Sequence, residues 1–210
     1  MGDTIPLHHS VPTPARATGL RARLGQWWLR SQGWQLKGDI PWPRRFVLIG
    51  APHTSNWDLP YMLACSWIYG VRIHWMGKHT LFRPPMGWLM RKLGGIAIDR
   101  RATHGVVEQM ARRFAEADTL ILAVPPEGTR GRVKYWKSGF YEIAKAANVP
   151  IVLGFLDYGA KEGGIGPTLR PSDDVKRDMD FVRAFYRGKT GKYADSWAEP
   201  RLRAEDRVRH

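Results

Sequence analysis

The 210-residue sequence predicts an α/β fold, a single domain with a mainly parallel β-sheet flanked by helices. Three observations predict it. From Arg45 onward, short apolar runs of strand length alternate with longer segments of helical period, which is the rhythm of βαβ units. The length suits one well-buried core and is short for two. A lone cysteine, Cys65, rules out any intrachain disulfide, so the fold must rest on packing.

In chain order, residues 1–18 read as a flexible lead, with Pro6, Pro12 and Pro14 among polar residues and no secretory cleavage pattern. The domain is expected over 19–186. It opens on an amphipathic helix in which Leu20, Leu24, Trp27 and Trp28 recur at helical spacing, while Arg21, Arg23, Gln26 and Arg30 take other faces. A cationic helix carrying indoles suits an anionic bilayer surface. The same stripe would serve equally to pack the helix on the core. Strands are expected at 46–49, 72–76, 96–98, 119–124 and 151–155, each a short run rich in β-branched or aromatic residues. Helices are expected between them at 59–69, 86–93, 104–117 and 139–147. Beyond Arg187 the chain is charged and poor in apolar residues, so 187–210 is expected to be a loosely ordered charged tail.

No run reaches the roughly 18 apolar residues that cross a bilayer; the longest, 59–71, has the length of a core helix and meets Arg72. One cysteine points to a reducing compartment, which makes the cytoplasm the default location. With 33 Lys and Arg against 19 Asp and Glu, the formal charge is +14. That surplus fits nucleic acid, an anionic membrane or phosphorylated substrates equally, and by itself it also fits a non-enzymatic binding module.

In an open parallel sheet, ligands gather outside the carboxyl ends of the strands. His53 follows the first expected strand, Lys78 the second, Asp99 and Arg100 the third, and Glu127 to Arg130 the fourth. An imidazole titrates near neutrality, and a carboxylate on its second nitrogen fixes its tautomer, so His53 with Asp58 offers a general base and its partner. Ser55-x-x-Asp58 also matches a capping-box pattern, in which Asp58 satisfies backbone donors at a helix start. In Glu127-Gly128-Thr129-Arg130, Arg130 can fork onto a phosphate, Thr129 can donate a hydroxyl, and Gly128 lets the backbone approach a ligand. Taken alone, that tetrapeptide also reads as an ordinary turn. Arg132, Lys134 and Lys137 alternate with Tyr135 and Trp136, a pattern suited to nucleic acid or lipid headgroups. Cys65 sits in an apolar helical run and reads as a packing residue. His74, His79 and His104 lack metal-ligand spacing, so no metal is expected.

Four motifs in order make the reading more specific: Pro52-His53-Thr54-Ser55-Asn56-Trp57-Asp58, Gly95-Ile96-Ala97-Ile98-Asp99-Arg100, Pro126-Glu127-Gly128-Thr129-Arg130, and Val149-Pro150-Ile151-Val152. Together they resemble the lysophosphatidic acid acyltransferase family, glycerolipid acyltransferases with H-x4-D and E-G-T-R motifs. Trp136-Lys137-Ser138-Gly139-Phe140 and Lys78 fit segments between them, and the likeness covers residues 46–155. Two positions depart from the family pattern: Pro52 stands where Asn is common, and Gly131 where Ser is common. No hydrophobic N-terminal anchor of the kind frequent in the family is expected from these residues, and residues 20–30 are expected to substitute for it.

The resemblance implies a glycerolipid acyltransferase-like fold and a transfer from acyl-CoA or acyl carrier protein, as co-substrate, to the hydroxyl of a lysophosphatidic acid to give phosphatidic acid, the alternative acceptors being glycerol 3-phosphate, another lysophospholipid, a glycolipid or a lipoamino acid. His53 and Asp58 would be catalytic, with Lys78, Arg100, Glu127, Gly128, Thr129 and Arg130 binding substrate. Glu127 is expected to orient Arg130 or a glycerol hydroxyl, and a backbone N–H near Gly128 to meet the developing oxyanion. No cofactor, metal or nucleic acid is expected. Work at an anionic membrane surface, peripherally on the cytoplasmic face, is.

Overall fold

Unbroken apolar runs become strands covered on both faces. In the computed structural model, which describes residues 16–41, 44–98 and 103–208, the elements are α1 (Leu20–Ser31), β1 (Gln35–Lys37), β2 (Arg45–Ala51), α2 (Asp58–Tyr69), β3 (Ile73–Lys78), α3 (Gly87–Lys92), β4 (Gly95–Ile98), α4 (Thr103–Glu116), β5 (Leu120–Val124), α5 (Gly139–Ala147), β6 (Ile151–Asp157), β7 (Glu162–Leu169) and α6 (Val175–Tyr186). Short 3₁₀ turns lie at His79–Phe82, Ala194–Ser196 and Arg203–Val208. Of the lead expected at 1–18, only 16–18 are described, where the Ala17 N–H donates to the Ile68 carbonyl. Asp99 and Arg100 lie outside the described residues.

The strands form one sheet in the order β1-β7-β6-β2-β5-β3-β4. Every pairing is parallel except β6 with β7. Alternation along the strands divides the core in two. Phe46 and Leu48 of β2, Ile121 and Ala123 of β5 and Val152 of β6 join α1 and α2, through Leu29, Tyr61, Ala64 and Ile68, on one face. Val47 and Ile49, Leu122 and Val124, and Ile151 and Leu153 meet Met110 and Phe114 of α4, Phe140 and Ile143 of α5, and Met179 and Val182 of α6 on the other. α3 belongs to the first face: Trp75, two residues past Ile73, donates its indole N–H to the Leu93 carbonyl and lies 6.0 Å from Phe82. Removing a side chain such as Leu122 or Ile151 from water is worth about 1.5–3 kcal/mol.

The helices therefore follow right-handed crossovers: β2 leads through α2, on one face, toward β3, and β5 leads through α5, on the other face, to β6. Because β2 and β5 are neighbours, their connections part to opposite faces and open a crevice at their carboxyl ends.

Three elements escaped the sequence reading. β7 contains Gly163, Gly164, Gly166 and Pro167 and is held by pairing with β6 and β1. α6 starts at Asp174, whose side chain accepts the Arg177 N–H, and buries Met179, Val182 and Tyr186. β1 has three residues. The stretch after Arg187 also departs from expectation, because it returns to the core. Leu202 is fully buried and forms a bridge with Trp136, Trp197 packs near Trp136 and Tyr186, and the buried Glu205 accepts from Arg183 and from the Leu202 N–H. A few apolar anchors and an ion pair with a buried carboxylate suffice to order a segment whose remaining residues are polar. No helix among the described residues is long and apolar enough to cross a membrane.

Candidate active site

At the carboxyl end of β2, residues 52–57 form a loop that leads straight into α2. Asp58 is the first residue of that helix, so its carboxylate can reach back over the loop. One oxygen, Oδ2, lies 2.8 Å from His53 Nδ1 and accepts the Ser55 N–H at 3.3 Å. The other, Oδ1, accepts the Tyr158 hydroxyl at 2.8 Å, from the turn between β6 and β7. Half of the capping box thus forms, since Asp58 satisfies the Ser55 N–H while Ser55 Oγ accepts from Trp57 N–H. Satisfying a loop N–H ahead of the helix and orienting His53 are done by one carboxylate. With Nδ1 facing a carboxylate, that nitrogen carries the proton and Nε2 is the nitrogen left to accept one. Burial, then the Asp58 carboxylate, raises the Tyr158 phenol above the usual range, so it stays a donor.

Residues 125–131 leave the neighbouring strand β5 beside this loop. Glu127 is buried, 4% exposed, and its Oε1 accepts the backbone N–H of His53 at 3.0 Å. The carboxyl group thus staples the two loops together. Its Oε2 is buried without a partner. Burial pushes its pKa up to about 7, an effect that the His53 N–H partly offsets. Glu127 does not hold Arg130, as the sequence had suggested; Arg130 Nη1 donates instead to Asn56 Oδ1, tying the second motif to the first by another link. Gly128 has a φ of +67°, and a Cβ there would come within 2.7 Å of the Lys137 side chain. Only glycine lets Lys137 lie across this turn. The Gly128 N–H is taken by the Pro125 carbonyl at 3.2 Å, so the oxyanion donor expected near Gly128 is not this one.

A cavity of about 760 Å³ opens between these loops. His53, Asp58, Gly128, Thr129, Arg130 and Lys137 line it, and its walls run down both sides of the sheet edge. One flank is apolar through Leu48, Met62 and Cys65, the other through Val107, Phe140 and Ile143. Of the residues predicted from sequence, His53, Asp58, Gly128, Thr129 and Arg130 meet at this cavity. Glu127 lies behind the loops. Lys78 ends β3 at the same edge as an exposed residue and is not among the lining. Arg100 is outside the described residues. Cys65 is buried, and burial pushes its thiol up to about 12, which keeps it a neutral wall residue.

Sequence reasoning missed Tyr158, which lies 100 positions from Asp58 in a turn with no motif of its own. It also missed the loop at 190–193. There the Tyr193 N–H donates to Thr54 Oγ1 at 3.2 Å, and Lys192 Nζ sits 5.5 Å over the Trp57 ring and 5.8 Å over that of Tyr158. Asp157 Oδ1 secures this wall by accepting from Gly159 N–H and Thr190 Oγ1.

A histidine with a fixed tautomer beside guanidinium and ammonium groups, over an apolar cavity, can take a proton from a polar group on an amphiphile. The sequence profile of the family described as "Acyltransferase" matches residues 36–152, which include both loops. The fold is similar to the crystal structure of the 1-acyl-sn-glycerophosphate (LPA) acyltransferase, PlsC, from Thermotoga maritima, with a TM-score of 0.57 over 79% of this chain and 74% of that one, at 20% identity. Comparison with curated protein sequences gives no significant match. Because the profile spans more than half of the residues and contains the His53 and Glu127 loops, the chain belongs to the acyltransferase family.

Proposed function

We propose that this acyltransferase moves a fatty acyl group from acyl-CoA or acyl carrier protein to the hydroxyl of a lysophosphatidic acid, giving phosphatidic acid. The observation that carries the reading is the His53–Asp58 pair, 2.8 Å apart, at an apolar cavity bordered by Arg130 and Lys137. His53 Nε2 takes the acceptor hydroxyl proton as the oxygen attacks the thioester carbonyl. A C–O bond forms, the C–S bond breaks, and the imidazolium returns its proton to the departing thiolate. Asp58 holds the ring and stabilises its positive charge, with Tyr158 holding Asp58. Arg130 and Lys137 meet the acceptor phosphate, and Thr129 offers a hydroxyl. Glu127 supports this arrangement from behind by fixing the His53 backbone.

Two apolar flanks suit two chains, one from the donor and one already on the acceptor, which favours a lysolipid over glycerol 3-phosphate. The structural neighbour, by its name, acts on the same acceptor class. Lipid substrates place the work at an anionic membrane surface, where the cationic α1 presents Trp27 to its surroundings. The Pro52 and Gly131 departures bear on the acceptor, so the test is a panel. Purified protein is given both donors with lysophosphatidic acid, glycerol 3-phosphate, other lysophospholipids, a glycolipid and a lipoamino acid, and products are read by mass spectrometry. Phosphatidic acid as the dominant product supports the reading; turnover only with another acceptor overturns the substrate while keeping the chemistry.

A further inference from the structure

The large apolar side chains left in water are concentrated on one face. Seven of the nine exposed among the described residues stand on α1, at the start of α2, and on the unit formed by the His79–Phe82 turn and α3. In that last unit Leu81, Met86 and Trp88 are 49%, 51% and 64% exposed, although Phe82 between them is buried and anchors it. None of the three lines the cavity. The unit follows the carboxyl end of β3 directly, and Trp75 and Met76 of that strand do line the cavity, so the exposed tips stand at the edge where the site lies.

Charge is divided the same way. Residues 16–98, which supply the helices α1 to α3 of this layer, hold twelve Lys and Arg against two acidic residues. Of those two, Asp39 pairs with Arg16 and Asp58 is taken up by His53 and Tyr158. Residues 103–208, which supply the helices α4 to α6 of the opposite layer, hold eighteen against fifteen. From Leu59 to Ile98 there is no acidic residue at all. Within the turn and α3, Arg83, Arg91 and Lys92 are exposed, and Lys92 Nζ lies 5.8 Å over the Trp88 ring. Indole and aliphatic tips ringed by cations, on elements separated along one layer, match an anionic headgroup layer over acyl chains.

We propose that the turn–α3 unit is a second bilayer contact, which inserts Leu81, Met86 and Trp88 into the interface of an anionic membrane while α1 rests its Trp27 on the same surface. The site is then held against the layer from which a lipid substrate would come. The inference deepens the proposed membrane site of action and rests on it for its purpose, but vesicle binding can be read without turnover.

The test is flotation of the full chain with phosphatidylcholine vesicles and with phosphatidylcholine–phosphatidylglycerol vesicles, matching unfolding midpoints being checked first. Leu81→Ser/Trp88→Ser is expected to weaken partitioning onto the anionic vesicles by about tenfold or more, because two insertable side chains are lost. Arg83→Gln/Lys92→Gln, which keeps the tips, is expected to weaken binding to anionic vesicles only. Phe181→Ser, on the opposite layer, is expected to bind as wild type. Wild-type binding by the Leu81/Trp88 variant overturns the proposal, as does a loss shared equally by Phe181→Ser. An acidic protein partner in place of a bilayer would show as wild-type failure to float with either vesicle, which also overturns it. Thiol release with monomeric short-chain substrates, measured without vesicles, reads acyl transfer separately: its absence in wild type removes the proposed function and leaves the vesicle result standing.

Discussion

Glu127 is a buried carboxyl of the site whose ionisation opposes folding. Its folded pKa, near 7, lies above the ordinary value of 4.5, with burial as the main cause. Folding therefore takes up a proton between those two values, and the stability of the wild type falls as pH rises through that window. Glu127→Gln keeps an oxygen for the His53 N–H and removes the buried charge. The variant is expected to gain on wild type by up to about 3 kcal/mol between pH 4.5 and 7, and to show no gain below. Urea unfolding of both proteins on either side of the window measures this. For Tyr158→Phe, loss of one hydrogen bond to the buried Asp58 carboxylate predicts a fall in kcat of about threefold to tenfold with KM unchanged and a lowered unfolding midpoint. A change in KM alone would make Tyr158 a substrate contact instead of a positioning residue. His53 and Asp58 were legible in the sequence because their spacing is local and a loop runs straight into a helix. Tyr158 was not, since only folding brings β6 and β7 beside the start of α2.

Elements were legible where periodicity alone dictated them and hidden where tertiary pairing did. β2, β5 and β6 are continuous apolar runs and their bounds were found to within a residue or two. β7, with its glycines and proline, has no strand propensity to read and exists through two partners. α6 did carry a signal, Val175, Met179, Val182 and Tyr186 at helical spacing behind an Asp cap, diluted by its charges. The segment after Arg187 was misjudged on composition, because Leu202 and Trp197 are few but well placed. Leu202→Ala is expected to cost about 2–5 kcal/mol, a core-sized loss that a loosely ordered tail would not show. The exit from the β1 edge gives a second check. Gly38 has a φ of +72°, and a Cβ there would fall 1.9 Å from the Ile165 carbonyl oxygen. Gly38→Ala is expected to destabilise by about 2 kcal/mol or more, read as a drop in Tm.

Across the whole molecule, function follows from topology. Because the chain crosses from β2 on one face and from β5 on the other, His53 and the loop of Gly128, Thr129 and Arg130, far apart in sequence, share one crevice. The βαβ rhythm was enough to predict that meeting. It could not predict the charge division between the two helical layers, since which helices share a face depends on strand order. The central claim is that His53 is the base for acyl transfer to a lysolipid hydroxyl. Thiol release from both donors, with lysophosphatidic acid as acceptor, tests it most directly in wild type and His53→Ala. The expected result is one thiol freed per phosphatidic acid formed by wild type and a rate lower by about 10² to 10⁴ in a variant that still folds. Equal release by the two proteins, at background with both donors, would contradict it.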